Sequence, residues 1–293
     1  MAKILIIGRN GQVSTYLQRQ LADGYDVIVA GRDQLDLSEV ESVHAKLVEI
    51  APEIIINPAA YTAVDAAEDD AELAFAINRD AVAEIAQYSK ETATPLIHFS
   101  TDYVFDGCAA SAYLESDVVA PTGVYGQSKL EGEQAVIKSE APALVLRTSW
   151  VYSNHGKNFY KTMLALAEQR EQLSVVNDQV GAPTYAGSIA SATKQLVDII
   201  IEQGGISREQ AGVYHFSCQG QTSWADFAKA IFVENEITSV VVTGIASSEY
   251  PTRAKRPAFS VLSTQKLLQT FEVSLPHWGT ALSQCAADKE GNA

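Results

Sequence analysis

Tyr125 and Lys129 stand four residues apart in the stretch Thr122-Gly123-Val124-Tyr125-Gly126-Gln127-Ser128-Lys129-Leu130. If that stretch opens a helix, the spacing sets both side chains on one face. A phenol beside an ammonium is a usable acid, because the positive charge favours phenolate and lowers the tyrosine pKa. A hydride-transfer enzyme needs such a group, since the alkoxide formed from a ketone must collect a proton. The plainer alternative is a solvated Tyr–Lys pair on an ordinary helix, and the pair alone does not decide between them.

Two other groups bear on that choice. Ser100-Thr101-Asp102-Tyr103 closes an apolar run, Leu96 to Ser100. That is where active-site groups of open α/β sheets collect. Thr101 can donate a hydrogen bond to a carbonyl oxygen, the alternative being a turn with local side-chain caps. At the start of the chain, Gly8-Arg9-Asn10-Gly11-Gln12-Val13-Ser14 joins a β-branched run, Lys3 to Ile7, to a helical pattern from about Val13 to Leu21. Strand, glycine turn and helix form the context of a dinucleotide site. Gly8 allows the tight turn. Gly11 lets a pyrophosphate approach the backbone, with the helix N-terminus facing its charge. Ser14 replaces the third glycine of the usual fingerprint and is small enough for close helix–strand packing.

The elements that must position these groups alternate. Strands are expected at Asp26–Ala30, Glu53–Ile56, Leu96–Ser100 and Ala143–Leu146, after the one at Lys3–Ile7. Helices are expected at about 39–50, with Ser38 as N-cap, and at 71–90 as one continuous helix. Asn78 inside it reads as a solvated helix residue, and His98 as a packed or satisfied histidine. Five strands alternating with helices by residue 150 predict an α/β fold with a doubly wound, parallel, Rossmann-like sheet. Beyond it we expect helices at about 159–168, 186–201 and 222–232, a strand at 173–176 and a last strand at 213–217. Pro251 to Pro257 is a basic, proline-bracketed loop, and the polar tail after Cys285 is expected to fray. The expected organisation is a cofactor-binding lobe of residues 1–150, to which 186–217 return, and a smaller substrate-binding lobe of 151–185 and 218–293.

Composition narrows the function classes. The chain has 293 residues, 47% of them hydrophobic, which suffices for a large core. Its formal charge of −15, from 36 acidic and 21 basic residues, argues against nucleic acid or anionic membrane as a partner. Cys108, Cys218 and Cys285 are scattered and the five histidines dispersed, so no disulfide framework and no metal ligand set is assigned. The apolar run at the N-terminus is too short for a signal-peptide core and no stretch reaches membrane-span length. A cytoplasmic chain is therefore expected.

Taken together the motifs resemble the extended short-chain dehydrogenase/reductases. The finer pattern resembles the dTDP-4-dehydrorhamnose reductase family from about residue 3 to 282. It is carried by Asn57-Pro58-Ala59-Ala60-Tyr61-Thr62-Ala63-Val64-Asp65, Ser100-Thr101-Asp102-Tyr103-Val104-Phe105, Arg147-Thr148-Ser149-Trp150-Val151-Tyr152, Asn177-Asp178-Gln179-Val180-Gly181-Ala182-Pro183-Thr184 and Arg256-Pro257-x-x-Ser260. The resemblance implies reduction of a dTDP-linked 4-keto-6-deoxy sugar by NADPH or NADH. It implies cofactor contacts along Gly8, Asn10, Gly11, Gln12 and Val13, at Asp36 and Leu37 for the adenine, and at Ala59, Ala60 and Tyr61. Tyr125 is implied as proton donor, Thr101 as its partner, and Lys129 as the group that lowers the tyrosine pKa and binds the nicotinamide ribose. Thr101, Asp102 and Trp150 are implied on the substrate side, with Asn158, Arg253 and Arg256 toward the diphosphate. Ser14, Pro58 and Phe259 depart from the family pattern. Magnesium at a dimer interface, and with it a homodimer, is an expectation from resemblance only, with no matching carboxylates.

Two other classes share the motifs. A sugar-nucleotide dehydratase resembles enzymes with a carboxylate base where Tyr103 stands, and an epimerase belongs to the same superfamily. The regulatory subunit of methionine adenosyltransferase also resembles this chain and would act by binding a partner. For the cofactor, the second strand ends at Gly31, without the carboxylate that favours NADH, and Arg32 follows. Its guanidinium can pair with a 2′-phosphate, so NADPH is the expected preference.

Overall fold

Short β-branched runs bounded by glycine and proline become strands, and the stretches of helical period between them become the helices that cover the sheet. The computed structural model describes residues 1–288. Six parallel strands make the main sheet, in the order Gly212–His215, β5 (Ala143–Thr148), β4 (Leu96–Thr101), β3 (Ile54–Asn57), β1 (Lys3–Ile7), β2 (Asp26–Ala30). The chain runs outward from β1 to β2 and then returns to β3 on the other side of β1. Ligands of open α/β sheets bind at the carboxyl ends of the strands flanking such a reversal.

Alternation along the strands sorts the core onto two faces. Ile4, Ile6, Ile54, Ile56, Leu144 and Leu146 pack with Leu17 and Leu21 of α1 (Gln12–Leu21) and with Ile189 and Leu196 of the Ala186–Gln203 helix. Leu5, Ile7, Ile55 and Val145 pack with Val43 and Leu47 of α2 (Val40–Ile50) and with Val82, Ile85 and Val136. Truncating one of these buried side chains to alanine would cost about 2–5 kcal/mol. The first cluster continues to Tyr160, Phe227 and Leu282, so the C-terminal elements share a core with the sheet.

Four expectations are corrected. The 71–90 helix is interrupted: Ala71–Phe75 and Ala81–Thr92 flank a π-helical turn, Ala76–Asp80. The wider turn carries Asn78 inward, where it is fully buried instead of solvated. Ser38 does not cap α2; its amide and hydroxyl both bind Asp36 Oδ1, at 2.9 and 2.7 Å, and the helix starts at Val40. Thr222–Ser223 is a short strand paired with Val180–Gly181, and the helix begins at Trp224, with the Ser223 hydroxyl accepting from Asp226 N. The chain past Cys285 is tied down as far as Asp288, whose carboxylate accepts from Tyr16 and Tyr185 at 2.6 and 2.8 Å; residues 289–293 lie outside the described residues. A strand was also missed on the β-branched run Val240-Val241-Val242-Thr243: Val241–Ile245 pairs parallel with Gln172–Val176 in a separate two-stranded sheet. Its side chains are mostly exposed, so it lacks a buried-strand pattern.

Candidate active site

Two glycines let the Val124–Ser139 helix dock against its neighbours. A Cβ at Gly126 would collide with the Tyr103 carbonyl oxygen, and one at Gly132 with that of Asn78. Asn78 also ties this helix to the loop after β3. Its Oδ1 accepts from Tyr61 N at 2.8 Å, and its Nδ2 donates to Tyr61 O at 3.1 Å and to Ser128 Oγ at 3.0 Å. The helix thereby sets Tyr125 and Lys129 against the carboxyl end of β4, in a cleft of about 550 Å3 that Thr101, Asp102, Tyr103 and Trp150 also line.

Thr101 Oγ1 donates to Asp102 Oδ1 at 3.1 Å and accepts from Tyr103 N at 3.3 Å. The Tyr125 ring meets Tyr103 edge-on at 5.4 Å. Burial pushes the Tyr125 phenol up and the Asp102 charge adds to this, while a hydrogen bond with the Thr101 hydroxyl pulls it down. Burial also raises the Asp102 carboxyl to about 6, against the pull of the Ser260 and Thr101 hydroxyls. Lys129 is 2% exposed, and burial brings its ammonium down to about 8 against the charge of Glu133. Its Nζ donates to Phe99 O at 2.7 Å and lies 3.4 Å from His98 Nε2. The expectation that Lys129 lowers the Tyr125 pKa is thus corrected: the amine is engaged by strand β4, and desolvation dominates both groups. A raised pKa keeps the phenol protonated, the state from which a proton can be donated.

The cleft continues past Ile7, Gly8, Ala59 and Ala60 into a second hollow of about 400 Å3, lined also by Asn10, Arg32, Asp36 and Leu37. Gly8 has φ +94°, and a Cβ there would approach Ala59 Cβ to 3.1 Å, so only glycine suits this turn. Gly11, Gln12 and Val13 line the cleft at the start of α1. Ser14 is buried and donates to Gly8 O, so the serine is accommodated. Burial opposes the Asp36 charge, but the two Ser38 bonds and Arg32 hold its pKa below the usual value. Arg32 approaches Asp36 at 3.9 Å with its side chain 79% exposed.

Some assigned residues stand elsewhere. Asn158 is a helix cap: its Oδ1 accepts from Lys161 N at 3.0 Å, and its Nδ2 donates to Gln12 Oε1 and Ser153 O, each at 2.8 Å. Lys157 lines the cleft in its place. Arg253 pairs with Asp69 and Arg256 with Asp65 at 2.5 Å, so both are held by carboxylates. Arg256 still reaches the cleft wall, donating to Tyr103 Oη at 3.3 Å. The Tyr61 side chain donates to Asp70 at 2.9 Å; what it offers the site is its backbone link to Asn78. Trp150 takes φ 48° and stacks on Trp224 at 3.5 Å, and Gly181 leaves room for its ring. Pro58 lines the cleft, while Phe259 packs with Tyr113 and Leu262.

Sequence reasoning missed Arg9 and Lys157; His98, expected as a packed or satisfied histidine, is buried with Asn57 Nδ2 3.2 Å from its Nδ1. Arg9 borders the second hollow and donates to Gln34 Oε1 at 2.9 Å; its place inside the glycine turn was the available signal. A larger hollow of about 660 Å3, between α1 and the Ala186–Gln203 helix, holds none of the motif residues.

A glycine turn at the sheet's reversal, a Tyr-x-x-x-Lys helix and a β4 threonine in one cleft define an NAD(P)H-dependent reductase of the extended short-chain dehydrogenase/reductase class. Residues 2–290 match the family described as RmlD substrate binding domain. The chain is 42% identical over 294 residues to dTDP-4-dehydrorhamnose reductase of Burkholderia thailandensis, covering 98% of each chain. It is 42% identical over 284 residues to that of Escherichia coli K12, covering 94% of each. A crystal structure of the Bacillus anthracis dTDP-4-dehydrorhamnose reductase in complex with NADP superposes with a TM-score of 0.91, at 35% identity over 98% of this chain and 99% of that one. The chain belongs to the dTDP-4-dehydrorhamnose reductase family.

Proposed function

We propose that the cleft reduces the C4 ketone of dTDP-4-dehydro-β-L-rhamnose to give dTDP-L-rhamnose. The residues fit a dinucleotide: the glycine turn, the start of α1 and Ala59–Ala60 leave a groove whose floor is backbone and small side chains. When bound, the nicotinamide supplies the hydride. Gly8, Gly11, Gln12 and Val13 hold the pyrophosphate, Asn10, Asp36 and Leu37 the adenosine, and Ala59 and Ala60 the ribose side. Lys129 orients the nicotinamide ribose through its amine. Tyr125 donates its phenolic proton to the oxygen at C4, and Thr101 shares the hydrogen bond. Asp102 and Trp150 bound the sugar, and Lys157 supplies positive charge at the mouth. Arg253 and Arg256 reach a diphosphate only by exchanging Asp69 and Asp65 for it. Arg32, with Arg9 beside it, reads the 2′-phosphate and favours NADPH.

The single observation that carries this reading is the half-buried Tyr125 phenol beside Thr101, its proton affinity raised by desolvation, in a cleft continuous with the glycine turn. Among the described residues no group of three or more His, Cys, Asp or Glu side chains gathers to hold a metal ion, and no step is routed through magnesium. In this reading residues 1–150 and 186–217 hold the cofactor, and 151–185 with the described part of the C-terminal segment, 218–288, bind the sugar. The test is NAD(P)H oxidation by the purified chain alone on dTDP-4-dehydrorhamnose, with the C4 configuration of the product read by NMR. Oxidation yielding the rhamnose configuration supports the proposal, and the 6-deoxytalose epimer would correct the stereochemistry. No oxidation with any keto-sugar, together with tight binding to a methionine adenosyltransferase, would overturn it.

A further inference from the structure

Behind the cleft, buried polar groups link β3 to Lys129. The backbone N–H of Ala59 donates to Asn57 Oδ1 at 3.2 Å. Asn57 Nδ2 lies 3.2 Å from His98 Nδ1, and His98 Nε2 lies 3.4 Å from Lys129 Nζ. Asn57 and His98 are both fully buried, so water does not supply substitute partners.

The direction of this chain follows from its first member. An amide N–H can only donate, so the Asn57 atom that it meets is the carbonyl oxygen. The Asn57 atom facing His98 is then the NH2 group, which also only donates. His98 Nδ1 must accept. Burial keeps the imidazole neutral whichever state Lys129 is in, so its one hydrogen sits on Nε2. That N–H faces Lys129. A neutral amine can accept it through its lone pair, but an ammonium has only donors. Charging Lys129 therefore costs a link: the His98–Lys129 contact itself or, if the imidazole or the amide turns to accept from the ammonium, His98 to Asn57 or Asn57 to Ala59.

We infer that Asn57 and His98 are positioning residues that present an N–H to Lys129 and so loosen its hold on its proton. His98 of β4 faces Lys129 at 3.4 Å, and Glu133 on its own helix acts on its charge while its carboxylate is bound to the Arg147 guanidinium of β5 at 2.7 Å; Asp102, in the turn after β4, and Tyr125 line the same cleft. Glu133 favours the ammonium and His98 opposes it. The inference rests on the proposed role of Lys129 at the cofactor, but its first test does not need that role.

The first test is NMR of the ligand-free protein with isotope-labelled histidine, the His98 signals being those lost in His98→Gln. Above about pH 8, where Lys129 is neutral, His98 should be the Nε2–H tautomer. As pH falls through that value its signals should shift while the ring stays uncharged. An Nδ1–H tautomer or an imidazolium above pH 8 would overturn the inference. The second test is the pH dependence of the NADPH dissociation constant. Protonated Lys129 attracts the anionic cofactor, so affinity should weaken as pH rises through about 8. In His98→Gln the side-chain carbonyl can accept from the ammonium, and the midpoint should rise by about one unit, tenfold in proton affinity. A purely structural role would weaken binding at every pH with the midpoint unmoved, which would also overturn the inference. Should His98→Gln fail to fold, the tautomer in the wild-type protein decides, its ring signals assigned by through-bond correlation to the His98 backbone.

Discussion

The two ends of the cleft hold charged groups under opposite conditions. At the chemical end, Lys129 is 2% exposed, and burial sets the proton affinities of Tyr125, Asp102 and Lys129 before any neighbour acts. At the adenosine end, Arg32 is 79% exposed and meets Asp36 at 3.9 Å, while Arg9 is 43% exposed beside Asp33. Buried charges interact strongly and titrate far from their usual values; exposed ones are screened and contribute little each. The first end suits proton transfer, whereas the second suits discrimination between two similar cofactors. Substitutions should therefore have large effects at the first end and small, salt-sensitive ones at the second.

The largest expected effect is at Tyr125. Tyr125→Phe should fold normally and lose about 10^3-fold in kcat, because the developing alkoxide loses its proton donor. Near-wild-type turnover, with an unchanged circular dichroism spectrum, would remove the chemical end from the comparison.

Next comes the fit of the helix that carries it. Gly132→Ala would drive a methyl group into the Asn78 carbonyl. It should cost about 1–3 kcal/mol in stability and lower kcat as Tyr125 and Lys129 are displaced. Denaturant unfolding measures the first and steady-state kinetics the second. An unaltered midpoint would mean that the close approach does not hold the helix.

Asp102 gives a pH-dependent effect. Its pKa is about 6 in the folded protein, above its ordinary value of 3.8. Above pH 6 it is charged in both folded and unfolded states, and the folded state bears the whole desolvation cost. Below pH 4 it is neutral in both and the cost vanishes. Asp102→Asn should thus stabilise the fold by on the order of 2 kcal/mol at pH 8, with the gain fading toward pH 4. Thermal unfolding across that range checks it; a pH-independent difference would contradict the burial argument.

The smallest effect belongs to the exposed end. The wild type should favour NADPH in kcat/KM, and Arg32→Ala should lower the NADPH/NADH ratio by roughly three- to tenfold, less at high salt. A wild type that favours NADH, or a ratio unmoved by the substitution, would show that Arg32 does not read the phosphate.

Much of this was legible before any coordinates. Glycine positions, β-branched runs and the Tyr-x-x-x-Lys spacing are local signals, and they placed the sheet, the cofactor turn and the β4 threonine. Arg253 and Arg256 are assigned toward the diphosphate by resemblance, and carboxylates 184 and 191 positions away leave no trace in the local sequence; Asp69 and Asp65 hold them. Asn158 was read as a ligand group and is a cap, since an asparagine before a helix looks alike in either role.

The alternation of strands and helices, the parallel doubly wound class and the motif residues at the strand ends follow from the sequence itself, because β-branched runs, glycine turns and helical period are local signals, whereas the order of the strands is set by packing. What only the tertiary structure decided is the state of the groups in the cleft. Asn78 turned from a helix surface residue into a buried clamp when one π-helical turn rotated it inward. Lys129 went from a presumed partner of Tyr125 to one bound by Phe99 O and facing His98. Proton affinity depends on dielectric surroundings and on the direction of hydrogen bonds, and both are set by residues that meet only when the chain has folded.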